Sequence, residues 1–145
     1  MEVIAGRAGL GSSTIYRHFP TRDDLMEAVL DELIADVRAN VARADDMADP
    51  VEAFRFVFAQ SCVMPESDIR AFAGIAASSA RLDAYARKLI EDTVGPVTDR
   101  VREAGRMRED LTTTDVAAFV RLIDAAETAR QRDLATEFLL DGMLR

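Results

Sequence analysis

The chain is 145 residues long, carries a formal charge of −8, and holds one cysteine and one histidine. With 49% hydrophobic and 30% charged residues it is excluded from the disordered class, and its length suffices to bury a core without disulfides or structural metal. The lone Cys62 excludes an intrachain disulfide and a cysteine-based zinc site. No basic-then-apolar leader is visible, and the most apolar run, residues 71–80, is too short to span a bilayer, so a cytoplasmic protein with no membrane partner is expected.

The charge is unevenly spread. Residues 1–22 carry Arg7, Arg17 and Arg22 against Glu2 alone, whereas the remainder carries 15 basic and 25 acidic residues. As a whole the chain would repel a polyanion, but a small positive head sits on an acidic body.

Within residues 1–19 the pattern is a short helix, a glycine-bearing turn (Gly9-Leu10-Gly11) and a second short helix, which is helix-turn-helix spacing. Gly9 suits a turn position with positive φ, and Leu10 is the expected plug between the helices. On a wheel of 100° per residue, Ser12, Ile15 and Phe19 of the second helix share the inward side. Ser13, Thr14 and Arg17 face outward, with Tyr16 and His18 on the flanks. Small hydroxyls allow close approach to DNA, and arginine can fork to a guanine edge or a phosphate. Tyr16 and His18 can donate to phosphate oxygens.

After Pro20, Thr21 and Asp24 form an expected capping box. Leu25, Val29, Leu33, Val37 and Val41 recur at every fourth position, predicting one amphipathic helix of about 24 residues, ending near Asp45–Asp49. The free N–H groups at its start, with Arg22, favour a phosphate. Asp49-Pro50 restarts the chain as N-cap and N1, and Val51, Phe54, Val57, Phe58 and Ser61 line a helix that Pro65 stops. A further start is expected at Ser67-Asp68, and helical spacing resumes over residues 82–94, where Gly95-Pro96 is expected to interrupt or kink it. Val97 and Val101 continue to Gly105, residues 106–111 form a loop, and Thr112 with Asp115 is another capping box. Val116, Phe119, Val120 and Ile123 share one face, and residues 132–144 close the chain as a final helix. The fold class is therefore all-α: an N-terminal helix-turn-helix segment, residues 1–22, followed by an antiparallel helical body, residues 23–145.

The run Ile4-Ala5-x-x-Ala8-Gly9-Leu10-x-x-x-Thr14-Ile15-Tyr16-Arg17-His18-Phe19-Pro20-Thr21-Arg22-x-x-Leu25 closely resembles the signature of the tetracycline-repressor (TetR) family. The resemblance covers about residues 3–30; beyond it only the helical pattern agrees, with a weaker likeness in the closing residues 139–145. It implies a head that binds operator DNA and a body that binds a small ligand and dimerises through its last two helices. Carried onto this chain, it implies DNA contacts at Thr14, Tyr16, Arg17, His18 and Arg22, with Ser12 and Ser13 beside them. Gly11 and Ser13 depart from the family's usual serine and glycine, and Arg22 stands where lysine is usual. Family members carry a helix before the motif, whereas Met1 falls inside the first motif helix. The expectation is that Met1 is an internal methionine of a longer reading frame.

The remaining chemistry is sparse. His18 lacks the nucleophile and orienting carboxylate of a catalytic base and the companions of a metal ligand, so neither an enzyme nor a metal or cofactor site is expected. Cys62, late in an apolar helix, reads as a buried inert thiol. Phe54, Phe58, Met64, Phe72 and Tyr85 are candidates for a ligand cavity holding a small apolar or amphipathic molecule. Phe138, Leu139 and Met143, with Phe119, Val120 and Ile123, are apolar around too much of their helices for one buried stripe and are candidates for a homodimer interface. The function expected is a ligand-responsive transcriptional repressor that binds a palindromic operator as a dimer. The alternative is a truncated ligand-binding and dimerisation module that no longer reads DNA.

Overall fold

A computed structural model describes residues 6, 7, 9, 11–123 and 126–145. Ile4, Ala5, Ala8 and Leu10 of the helix-turn-helix signature lie outside the described residues, as does Met1. The described helices are α1 (Ser12–His18), α2 (Arg22–Leu33), α3 (Ala35–Asp45), α4 (Pro50–Cys62), α5 (Glu66–Ala76), α6 (Ala80–Glu103), α7 (Thr113–Ile123) and α8 (Ala129–Met143). The only β pairing among the described residues is an isolated antiparallel bridge between Met107 and Leu144. The fold is all-α.

Local chemistry sets most of the boundaries. The capping box at Thr21 is formed: Asp24 N–H donates to Thr21 Oγ1 at 3.1 Å and Thr21 N–H returns to Asp24 Oδ2 at 2.8 Å. Asp49 Oδ1 accepts from Val51 N–H at 2.8 Å with Pro50 at the first helical position. Thr112 and Asp115 repeat the box before α7, and Thr128 with Gln131 does so before α8. At the end of α6, Gly105 takes φ +66°. There Arg106 N–H reaches Val101 O at 3.0 Å and Gly105 N–H reaches Arg102 O at 2.9 Å, a Schellman close.

Three expectations are corrected. The long helix after Thr21 covers the expected span but is broken at Ile34, whose φ −96° and ψ 2° separate α2 from α3. No proline or glycine marks that break; Ile34 is instead buried against α6, so tertiary packing overrides the local periodicity. Conversely, α6 runs unbroken through Gly95-Pro96. Gly95 has no Cβ to clash with the proline ring. Asp92, whose carbonyl loses its donor, is an exposed residue like Pro96, so water can reach it. The start expected at Ser67 falls at Glu66.

Helix α6 is the hub, packing against α2, α3, α4, α5 and α7. Its two halves serve two hydrophobic clusters. The first gathers Phe54, Val57 and Phe58 of α4, Val97 and Val101 of α6, Met107, and Val116, Ile123, Leu140 and Met143 of α7 and α8. The second gathers Leu30, Ile34 and Val37 with Leu82, Ala86 and Leu89. Arg100 stitches the layers by donating to Ala44 O at 3.2 Å and Met47 O at 2.7 Å, satisfying carbonyls at the end of α3.

Candidate nucleic-acid interface and ligand cavity

Helix α1 turns one apolar residue inward: Ile15 is 7% exposed, and Phe19, just past the helix, is half-buried. Ser13, Tyr16, Arg17 and His18 are exposed, and Thr14 is half-buried. The side chain of Ser12 lies outside the described residues. Gly9 adopts φ +66°, the left-handed turn conformation that glycine reaches without strain. Four side chains that donate hydrogen bonds thus occupy the solvent side of a helix too short to offer an axial anion site of its own.

Arg22 is exposed at the first position of α2. The capping box takes up the Thr21 N–H and the Asp24 N–H, and Asp23 and Asp24 complement the helix dipole. The backbone donors outside the box at this end are those of Arg22 and Asp23, beside the Arg22 guanidinium. The Asp24 carboxyl is held below its ordinary range by the Thr21 hydroxyl and then by Arg81.

A polar seam fastens α2 to α6. Ser79, the N-cap of α6, accepts from Leu82 N–H at 3.2 Å and donates to Asp23 Oδ2 at 2.9 Å. Arg81 forks to Glu27 at 2.8 Å and Asp24 at 2.7 Å. Tyr85 donates its hydroxyl to Asp31 at 2.5 Å while Arg38 of α3 pairs with the same carboxylate at 2.5 Å. Those two partners hold Asp31 below the usual carboxylate range, and the bond to Asp31 pushes Tyr85 up to about 12. None of the α2–α6 pairs has a local signal in the sequence, since the partners lie 54 to 57 positions apart.

Between the two hydrophobic clusters lies a cavity of about 120 Å³. Its walls come from α2 and its break (Leu33, Ile34), α3 (Val37), α4 (Phe54, Val57, Phe58, Ser61), α5 (Ile69, Phe72), α6 (Ile90, Val94, Val97, Thr98) and α7 (Val116, Ala117, Val120, Arg121), with Met64 between α4 and α5. Four of the five expected cavity residues, Phe54, Phe58, Met64 and Phe72, stand in this wall. Tyr85 does not, because its hydroxyl is committed to Asp31 on the far side of α6.

The six residues expected at a dimer interface separate. Ile123 and Met143 are each 1% exposed, closed inside the chain's own core, with no surface to offer a second copy. Val120 faces the cavity. Phe119 and Leu139 are half-buried against the first cluster, and Phe138 is 74% exposed. Leu122 and Leu134, which are not among the six, are exposed on the same two helices. Leu134 precedes Phe138 by one turn, a spacing that marks them as a pair without saying which way they face.

Cys62 is buried, and desolvation pushes its thiol up to about 11. Among the described residues there is no cluster that could hold a metal ion, and no helix is long and apolar enough to cross a membrane.

Residues 1–29 match the family described as bacterial regulatory proteins, tetR family. Among solved structures, the chain is similar to the TetR transcriptional regulator SCO0520 from Streptomyces coelicolor, with 29% identity and a TM-score of 0.60 over 99% of this chain and 86% of that one. It also shares its fold with the TetR family transcriptional regulator PfmR from Thermus thermophilus, with 20% identity and a TM-score of 0.57 over 94% of this chain and 82% of that one. No curated protein matches the sequence. The head matches that family over residues 1–29, and the fold along nearly the whole chain is held in common with solved tetR-family regulators.

Proposed function

We propose that this DNA-binding regulator is a ligand-responsive repressor of the cytoplasm, working as a two-fold dimer on a palindromic operator. The observation that carries the proposal is the position of α2. One end follows α1 after a turn of three residues, Phe19 to Thr21, and carries Arg22; the other, Leu33 and Ile34, forms part of the cavity wall. The helix is 12 residues long, about 18 Å at 1.5 Å per residue. A molecule that enlarges the cavity therefore pushes on the same rigid element that aims the head, and the Asp23, Asp24 and Glu27 contacts to α6 resist that push at its other end. Differential affinity of this kind typically supplies a coupling of about 1–3 kcal/mol.

In this reading Arg17, Tyr16, His18, Ser13, Thr14 and Ser12 meet the major groove and its flanks, and Arg22 meets a phosphate. Phe138, Leu134 and Leu122 form the centre of the contact between copies, so that two heads fall about 34–36 Å apart, one turn of duplex. The decisive experiment selects bound duplexes from a random pool and measures their affinity for the chain and for Arg17→Ala by fluorescence anisotropy. The expected result is a palindromic consensus and a loss of about tenfold or more for the variant at unchanged dimerisation, since a bidentate arginine contact contributes about 1–3 kcal/mol. A dimer that enriches no sequence would leave a ligand-binding and dimerisation module in place of a repressor.

A further inference from the structure

We infer that the cavity takes a small apolar molecule ending in a carboxylate, with its apolar part among the phenylalanines and its anionic end at Arg121. The inference rests on the ligand-cavity reading above and specifies the chemistry that the wall can recognise.

The wall is nearly without polar capacity. Apart from Arg121, its only polar side chains among the described residues are Ser61 and Thr98. Each hydroxyl spends its proton within its own helix, Ser61 on Val57 O at 2.9 Å and Thr98 on Val94 O at 2.8 Å. Neither can donate to a guest without surrendering that bond, so a molecule bearing several acceptors would leave them unpaired in an apolar space, at about 1–3 kcal/mol for each group. The size argues the same way. At about 120 Å³ the cavity is close to the scale of an engineered void of about 150 Å³ that holds benzene. Roughly six carbons fill it without rearrangement, and a longer chain continues to the rim at Arg121.

The charge of the wall fixes the end group. The chain as a whole carries 26 acidic residues and a net charge of −8, yet among the described residues the cavity wall holds no aspartate or glutamate and one arginine. A cationic guest finds no counter-charge among them. Arg121 is exposed and stands one helical turn beyond Ala117 on the cavity-facing row of α7. Its aliphatic stem can extend the apolar wall while the guanidinium stays in water at the rim. The fork of N–H donors matches a carboxylate in bidentate fashion. An amphiphile can thus bury its chain without dehydrating its charged end.

The test uses octanoate, octan-1-ol and octylammonium, followed by calorimetric titration and thermal shift on the chain, on Arg121→Gln and on Arg121→Lys. Circular dichroism verifies that each variant keeps its helix content. Octanoate is expected to bind about tenfold tighter than the alcohol, with octylammonium weakest. Arg121→Gln should bring acid and alcohol together without changing the alcohol, and Arg121→Lys should restore part of the preference. Equal affinity for acid and alcohol, or an acid preference that survives Arg121→Gln, overturns the inference and leaves the cavity reading intact. If none of the three binds, the cavity reading falls and this inference falls with it.

Discussion

The clearest physical test of the cavity is to make the same change at two neighbouring buried valines of α6. Val97 is 1% exposed and lines the cavity, whereas Val101, one turn later, is 0% exposed and lies outside its wall. Valine to isoleucine adds one methylene and keeps the β-branch, so helix propensity and χ1 stiffness cancel between the two variants. At Val97 the added group enters empty space, and burying it contributes about 0.8 kcal/mol. At Val101 it has nowhere to go, and overpacking costs about 1–3 kcal/mol. For a chain of this size 1 kcal/mol moves Tm by about 3–4 °C. Val97→Ile should therefore melt about 2–3 °C higher than the parent and Val101→Ile about 3–12 °C lower, a divergence from an identical chemical change. Calorimetric melts at one fixed protein concentration measure it, since any dimerisation makes Tm concentration-dependent. If Val97→Ile melts lower, in step with Val101→Ile, the space at the seam is filled in solution and the argument from its volume is wrong.

Two glycines should both resist substitution. Gly95 precedes Pro96 inside α6, so Gly95→Ala sets a Cβ against the proline ring and should lose stability although the space around it is otherwise open. Gly105 at φ +66° closes the same helix, and Gly105→Ala should cost about 1–2 kcal/mol, both being read from urea titrations. Burial raises Cys62 from 9.0 to about 11, so the thiol should resist iodoacetamide at pH 8 in the folded protein and label rapidly only in denaturant. The same shift carries a sign. Between pH 9.0 and about 11 the unfolded chain has shed a proton that the folded chain keeps, so stability present below that window is lost as pH rises through it. Tyr85, raised from 10.0 to about 12, acts in the same direction, and Tm should hold from pH 7 to 9 and then fall. A Tm that climbs above pH 9 would contradict both assignments.

What the sequence makes legible follows from how local each cause is. Caps act over three residues, so Thr21, Asp49 and Thr112 stand out as helix starts from the residues alone. The outward and inward sides of α1 also follow from a rotation of 100° per residue, and Ile15 is buried while Arg17 is exposed, as that rotation requires. The break at Ile34 carries no such signal, because its cause is packing against α6 and not a breaker residue. The continuation of α6 through Pro96 escapes sequence reasoning for a different reason: a proline signal is strong on average, but here glycine precedes it and the orphaned carbonyl is that of an exposed residue. The apolar periodicity of α7 and α8 identifies the apolar residues but cannot apportion them. Only the packed body assigns Ile123 and Met143 to the core, Val120 to the cavity and Phe138 to the surface.

The uneven charge gains a structural meaning from the α2–α6 seam. Four of the acidic residues of the body, Asp23, Asp24, Glu27 and Asp31, lie along α2, and all four are engaged by Ser79 or by α6, with Asp31 also held by Arg38 of α3. They fasten α2, the helix that follows the head, to the hub helix α6. Asp24 serves twice, closing the capping box of α2 and receiving Arg81. The first turn of α2 is thereby fixed both along its own axis and against its neighbour. Exposed ion pairs of this kind add little to stability, so their value to the molecule is registry. They hold the angle at which α2 leaves the hub helix. A lever needs a load, a fulcrum and a place to push. In the proposed ligand response α1 is the load, the Ser79–Arg81 seam is the fulcrum, and the cavity wall at Leu33 and Ile34 is where the push arrives.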